Sequence, residues 1–143
     1  MMKVKYKESI EYKMIERINQ LSSQVVLRED MADLGSYRQV SRALNKLIKK
    51  KQLIKVGFGI YAKAQASQYG DKALLQAPLS RVATEALNRL GVQWELGQAL
   101  QDYNAGRSQQ VPAKFIVRLK SRFRRTIGNS RRQVIFEGGI NAR

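Results

Sequence analysis

Arg38, Gln39, Arg42 and Asn45 follow one another at steps of one, three and three residues. If the stretch around them is helical, they share one outward side. Arginine hydrogen-bonds the edge of guanine, asparagine and glutamine bond the edge of adenine, and the major groove of duplex DNA admits an α-helix. The chemistry indicated is base recognition. Lys46, Lys49, Lys50 and Lys51 crowd the end of the same stretch. A helix dipole favours cations there by up to ~1 kcal/mol each, but four in six residues exceed that need and point to phosphate neutralisation.

Catalysis finds no comparable support. The chain has no histidine and no cysteine, which removes the commonest general base and excludes disulfides and thiolate metal sites. Ser36, Ser41 and Ser108 have no base to activate them, and no carboxylates are paired for acid-base work. Glu29, Asp30 and Asp33 are explained as acids early in a short helix, where its dipole favours them. The expectation is a non-enzyme without metal or cofactor.

The local sequence supplies the element that these side chains need. Ser36 followed by Gln39 matches the capping box that starts a helix sharply. Behind it, Tyr37, Val40, Ala43, Leu44, Leu47 and Ile48 form an inner face. Upstream, Ile10, Met14, Ile18 and Leu21 predict a helix over residues 8–21, residues 24–27 an extended or linking piece, and residues 28–34 two further helical turns ending at Gly35. Two helices joined at a glycine-containing turn are the signature of a helix-turn-helix. Residues 53–56 and 60–63 are β-prone runs around Gly57, Phe58 and Gly59, predicting a hairpin wing. Lys55 and Phe58 on that wing, with Ser36 at the helix start, join the lysines as candidate phosphate and groove contacts.

Residues 65–77 show little hydrophobic periodicity and are predicted as a linker. A second unit comes next. Pro78 opens a helix with a stripe of Leu79, Val82, Ala83, Ala86, Leu87 and Leu90, which Gly91 ends. Residues 94–103 are predicted as another helix packing through Leu96, Ala99, Leu100 and Tyr103. Phe115, Val117 and Leu119 alternate with Arg118, Lys120 and Arg122, the pattern of a strand with one cationic side. Gly128-Asn129 then predicts a tight turn and residues 134–136 the returning strand of a hairpin. Trp94, Tyr103, Phe115 and Phe123 are spaced as core residues.

Between Arg107 and Arg132 lie nine basic residues and no acid, whereas a merely solvated surface mixes signs. Arg118, Lys120, Arg122, Arg124, Arg125, Arg131 and Arg132 therefore form a candidate second basic surface, for phosphate or for an acidic protein. The whole chain of 143 residues carries a formal charge of +16, with +8 on each side of the Ala64/Gln65 bond. Such an excess favours a polyanionic partner. The N-terminal residues lack the apolar core of a signal peptide, and no apolar run approaches the ~20 residues that span a bilayer. A cytoplasmic protein without membrane contact is expected.

The expected architecture is α+β: a winged helix-turn-helix over residues 1–64, the linker, and a small basic unit over residues 78–143 built of helix plus β-hairpin. The order of motifs in VVLREDMADLGSYRQVSRALNKLIKKKQLIKVGFGIYAKA resembles the winged-helix N-terminal domain of AbiEi-type antitoxins of type IV toxin-antitoxin systems. ALNRLGVQWELGQALQDYNAGRSQQVPAKFIVRLKSRFRRTIG is similar to the downstream region of a related group of short bacterial proteins; together the two segments lie within residues 10–137. The resemblance implies a bacterial repressor that binds operator DNA, autoregulates its operon and opposes a cognate toxin. It implies DNA contact by residues 36–51 and 55–61, with Arg118, Arg122, Arg124 and Arg125 as second-unit candidates. The C-terminal part is shorter than the typical antitoxin domain, which sets antitoxic activity apart from DNA binding.

Sequence-specific duplex DNA binding is thus the leading expectation, with dimerisation on paired half-sites as helix-turn-helix proteins practise it. Two rivals compete with it: a module that clasps an acidic protein such as a toxin, and an RNA-binding protein whose cationic strands follow an A-form backbone.

Overall fold

The computed structural model describes residues 9–129 and 132–138; Glu8 and Arg131 lie outside them. The chain is mixed α+β and divides into two compact units, with the boundary between Pro78 and Leu79.

In the first unit, Ser9 caps helix α1 (Ile10–Gln20) by accepting from the Tyr12 amide at 3.2 Å. Strand β1 (Val25–Leu27) is buried throughout. The next seven residues, Arg28–Leu34, form a 3-10 helix rather than α-helical turns. Its start is fixed by the Asp30 carboxylate, which accepts from the Leu27 amide at 2.8 Å. Helix α2 (Tyr37–Lys49) begins with the predicted capping box: Ser36 Oγ accepts from the Gln39 amide and Gln39 Oε1 from the Ser36 amide.

Strands β2 (Leu53–Gly57) and β3 (Ile60–Ala66) form the predicted hairpin, tighter than expected because Gly57 belongs to β2 and only Phe58 and Gly59 turn. Gly59 sits at φ +70°, a region that glycine enters without a Cβ clash. The register shifts between Lys55 and Gly57, leaving Val56 as the extra residue of a bulge. Strand β3 is central, antiparallel to β1 on one side and β2 on the other.

The core beneath this sheet gathers Met14 and Ile18 from α1, Val26, Met31, Leu53 and Tyr61, and Val40, Ala43, Leu44 and Leu47 from α2. The periodicity of α1 and α2 therefore translates directly into packing. Tyr37, assigned to the inner face by spacing, is instead 68% exposed. Residues 65–77 are not a free linker either. Gln65 and Ala66 complete β3, and strand β4 (Ala73–Leu75) pairs back onto it, Ala64 opposite Leu75. Weak hydrophobic patterning conceals a short strand whose ladder bonds are backbone bonds, indifferent to side-chain type.

In the second unit, helix α3 (Leu79–Arg89) buries Val82, Ala83, Ala86 and Leu87 as its stripe requires. The helix expected over residues 94–103 is divided. Trp94–Leu96 is strand β5, and only Gln98–Asn104 is helical, as α4. Gly97 separates them because a Cβ there would lie 2.8 to 2.9 Å from the side chain and carbonyl of Ile116. Strand β6 (Ile116–Leu119) pairs antiparallel with β5 and buries Val117 and Leu119, as its alternation predicts.

The hairpin expected to return through residues 134–136 does not form. Strand β7 (Ile135–Glu137) runs parallel to β6, giving the order β5-β6-β7. The chain does reverse at Gly128 and Asn129, but that turn closes locally: Gly128 bridges Gln133, and the Val134 amide donates to Ile127 O at 2.8 Å. The long connection carries the chain back to the start of β6, as parallel pairing demands. Ile127 and Val134 are buried, and Phe123 meets Phe136 edge to face at 5.5 Å.

Candidate nucleic-acid interface

Helix α2 is positioned from several sides. Val40, Ala43, Leu44 and Leu47 anchor it in the core, which directs Arg38, Arg42, Asn45, Lys46 and Lys49 outward; all five are exposed. Arg42 and Lys46 also line an open cleft of about 250 Å³ between α1 and α2. The guanidinium of Arg17 on α1 reaches the 3-10 helix that precedes α2, donating to Asp30 O at 2.8 Å and to both carboxylate oxygens of Asp33 at 2.5 and 3.1 Å. The hydrogen bond from Arg17 holds the Asp33 carboxyl below its ordinary pKa, and the same bond raises that of Arg17.

Two of the nominated side chains are committed within the protein. Gln39 is exposed, but its Oε1 accepts from Ser36 at 2.9 Å. Pairing with adenine would use that same acceptor as well as the amide donor, so the cap already engages one of the two groups such a pairing needs. Lys50 donates to the buried carboxylate of Glu11 and thereby ties the end of α2 to α1. Its charge answers an internal need.

Lys51 stands at φ +64°, where the chain leaves α2 for β2, and its ammonium lies 3.9 Å from Asp71. Lys46 and Lys49 remain as exposed cations on the helix. On the hairpin, Lys55 is exposed and Phe58 at the turn is 71% exposed.

Periodicity gives no hint of one pair beside the helix start. Arg28 is stacked on Tyr37, its guanidinium carbon 4.2 Å from the ring centroid, and donates through Nη2 to Ser41 Oγ at 2.9 Å. Its backbone amide donates to Gly59 O in the hairpin turn at 3.0 Å. One residue thus touches both α2 and the hairpin. The available signal is weak: Tyr37 immediately follows the cap, ahead of the first buried turn.

The second basic cluster is split in the same way. Arg118 lies in a cross-strand row between Glu95 and Glu137, at 3.7 and 3.4 Å. Glu137 also accepts from the Gln98 amide at 3.0 Å, capping α4 where Gly97 offers no side chain. Lys120 and Arg132 are exposed. Arg122, Arg124 and half-buried Arg125 line a cleft of about 360 Å³ with Leu90, Val92 and Phe123.

Of the aromatic residues assigned to the core, Phe123 is buried, Trp94 and Phe115 are half-buried and Tyr103 is 38% exposed. Trp94 donates to Asn88 Oδ1 at 2.8 Å. Among the described residues no acidic cluster is arranged to hold a metal ion, and no helix is long and apolar enough to cross a membrane.

No protein-family model, curated protein or solved structure matches this chain.

Proposed function

We propose that the first unit is a winged helix-turn-helix and that it binds duplex DNA sequence-specifically. The element order supports this reading: α1, β1, the 3-10 helix, α2 and the β2-β3 hairpin, with β1 paired to β3. The observation that carries it is the two-sidedness of α2. One face is fixed in the core, while Arg38, Arg42, Asn45, Lys46 and Lys49 stand exposed on the other.

In this reading α2 enters the major groove, Arg38 and Arg42 bond guanine edges, and Asn45 bonds adenine. Lys46, Lys49 and Lys55 neutralise phosphates, and Phe58 carries the hairpin turn against the backbone or into the adjoining minor groove. Together with the resemblance to AbiEi-type antitoxins, this suggests an autoregulating transcriptional repressor. The cleft formed by Arg122, Arg124 and Arg125 then serves a second stretch of phosphate backbone or an acidic toxin.

Selection of bound fragments from a pool of random duplexes tests the reading. A shared motif should be enriched, and the logarithm of the binding constant should fall linearly with log salt, with a slope of about 0.9 per neutralised phosphate. No enrichment together with no duplex affinity at low salt would overturn it, whereas preference for single strands or duplex RNA in the same assay would move the protein to the RNA class.

A further inference from the structure

We infer that Tyr37 is a DNA-contact residue, with its phenol donating a hydrogen bond to a backbone phosphate, and that Arg28 is the positioning residue that holds it. This deepens the DNA-binding reading and rests on it.

Three observations lead there. Tyr37 is the first residue of α2 and 68% exposed, although its spacing fits the inner face. An aromatic side chain gains nothing from water by that placement; burying its ring would be favourable. The ring is nevertheless held, because the Arg28 guanidinium lies 4.2 Å from its centroid. A cation over the face of a tyrosine is an attractive arrangement that fixes the ring plane and leaves the hydroxyl at its rim as the group to be used.

Arg28 is itself fixed. Nη2 donates to Ser41 Oγ at 2.9 Å, its amide to Gly59 O at 3.0 Å, and Nη1 is buried with no hydrogen-bond partner. Arg28 is half-buried, and a guanidinium with one nitrogen buried and another given to Ser41 is poorly placed to reach a phosphate. Its remaining use is to orient the ring, and through Gly59 it sets that ring in register with the hairpin turn. Tyr37 precedes Arg38 in sequence and lies one helical turn before Ser41, on the flank of the proposed base-reading side. A neutral donor there suits the sugar-phosphate rim of the groove, where tyrosine hydroxyls contact phosphate oxygens.

The chemistry separates this role from those of the lysines. A phenol neutralises no phosphate and releases no counterion, so its loss lowers affinity without changing the salt slope. Binding of the full chain to its selected duplex and to a scrambled duplex is measured by fluorescence anisotropy across a salt series for wild type, Tyr37→Phe, Arg28→Met and the double variant.

Tyr37→Phe should weaken both duplexes roughly tenfold, the scale of one hydrogen bond to a charged acceptor, at unchanged slope. Arg28→Met should do much the same, and the double variant should be no weaker than the weaker single variant, as expected of residues acting in series. Thermal melts of the free proteins check folding; Tyr37→Phe removes only an exposed oxygen.

Wild-type affinity retained in Tyr37→Phe overturns the phenol contact while leaving DNA binding intact. A slope reduced by about 0.9 in Arg28→Met would make Arg28 a phosphate ligand and overturn its positioning role. A wild-type protein without duplex affinity would remove the parent reading and this one with it.

Discussion

Lys50 donates to the carboxylate of Glu11 across 39 positions of sequence, joining the C-cap of one helix to the first turn of another. Glu11 is the buried charged residue of this molecule among those described. Lys50 therefore belongs to the architecture that holds α2, while its neighbour Lys49 faces solvent.

This divides two adjacent lysines by experiment. Lys50→Ala removes the ammonium that donates to a buried carboxylate and should lower stability by about 1 to 2 kcal/mol, allowing for the half-exposed ammonium. The change is read from urea unfolding midpoints. Lys49→Ala should leave those midpoints in place and instead reduce the salt slope of duplex binding by about 0.9.

Arg42→Ala probes base recognition. If Arg42 pairs with guanine as proposed, the substitution should cost about 1 to 3 kcal/mol on the selected duplex and much less on a scrambled one. Anisotropy titrations with both duplexes at one salt concentration give the comparison. Equal costs on the two would remove Arg42 from the base-reading set.

Gly97→Ala should strike the second unit. Its Cβ would meet the Ile116 side chain and carbonyl at under 3 Å, forcing β5 away from β6 at a cost of about 1 to 3 kcal/mol. Trp94, the single tryptophan of the chain, is in β5 itself, so its fluorescence during denaturation reports this change directly.

Acid should loosen the tie between α1 and the 3-10 helix. Asp33 has a lowered pKa in the folded protein, chiefly through its hydrogen bond from Arg17. Its contribution is fully present above the unfolded carboxyl value of about 3.9 and is lost as pH falls through the lower folded value. Asp33→Asn should remove this part of the acid dependence. Melting temperatures of wild type and variant should converge as pH falls from about 4 through the lowered folded value, and a gap that persists undiminished at the acid end contradicts the assignment.

How much of the fold is legible in the sequence depends on the range of the interactions. The cap formed by Ser36 and Gln39 spans three residues, and the stripe of Val40, Ala43, Leu44 and Leu47 needs only helical spacing. Both are legible because every participant is local. The same locality hides a second claim on Gln39: one side chain is a candidate for cap and for base, and its oxygen is already engaged by the cap.

Residues 94–103 show the opposite limit. Leu96, Ala99, Leu100 and Tyr103 fit a helical period, yet the backbone of residues 94–96 pairs with a strand some twenty positions downstream. Tertiary pairing outweighs local pattern. The parallel partnership of β6 and β7 is equally invisible, since a turn signal at Gly128 says that the chain reverses and not which strand it rejoins. Arg28 and Tyr37 escape for a related reason: no repeat or capping rule links positions nine apart.

The arrangement of β6 has a bearing on how the protein is made. Its antiparallel neighbour β5 precedes it, but its parallel neighbour arrives only at Ile135. During N-to-C synthesis the first unit has all its strands by Pro78, whereas the second carries a half-finished sheet until β7 has left the ribosome. A bare strand edge is a template for foreign chains, and closing a non-local pair is slow. The nascent polypeptide is thus most vulnerable to misassociation in the interval between the emergence of β6 and that of β7.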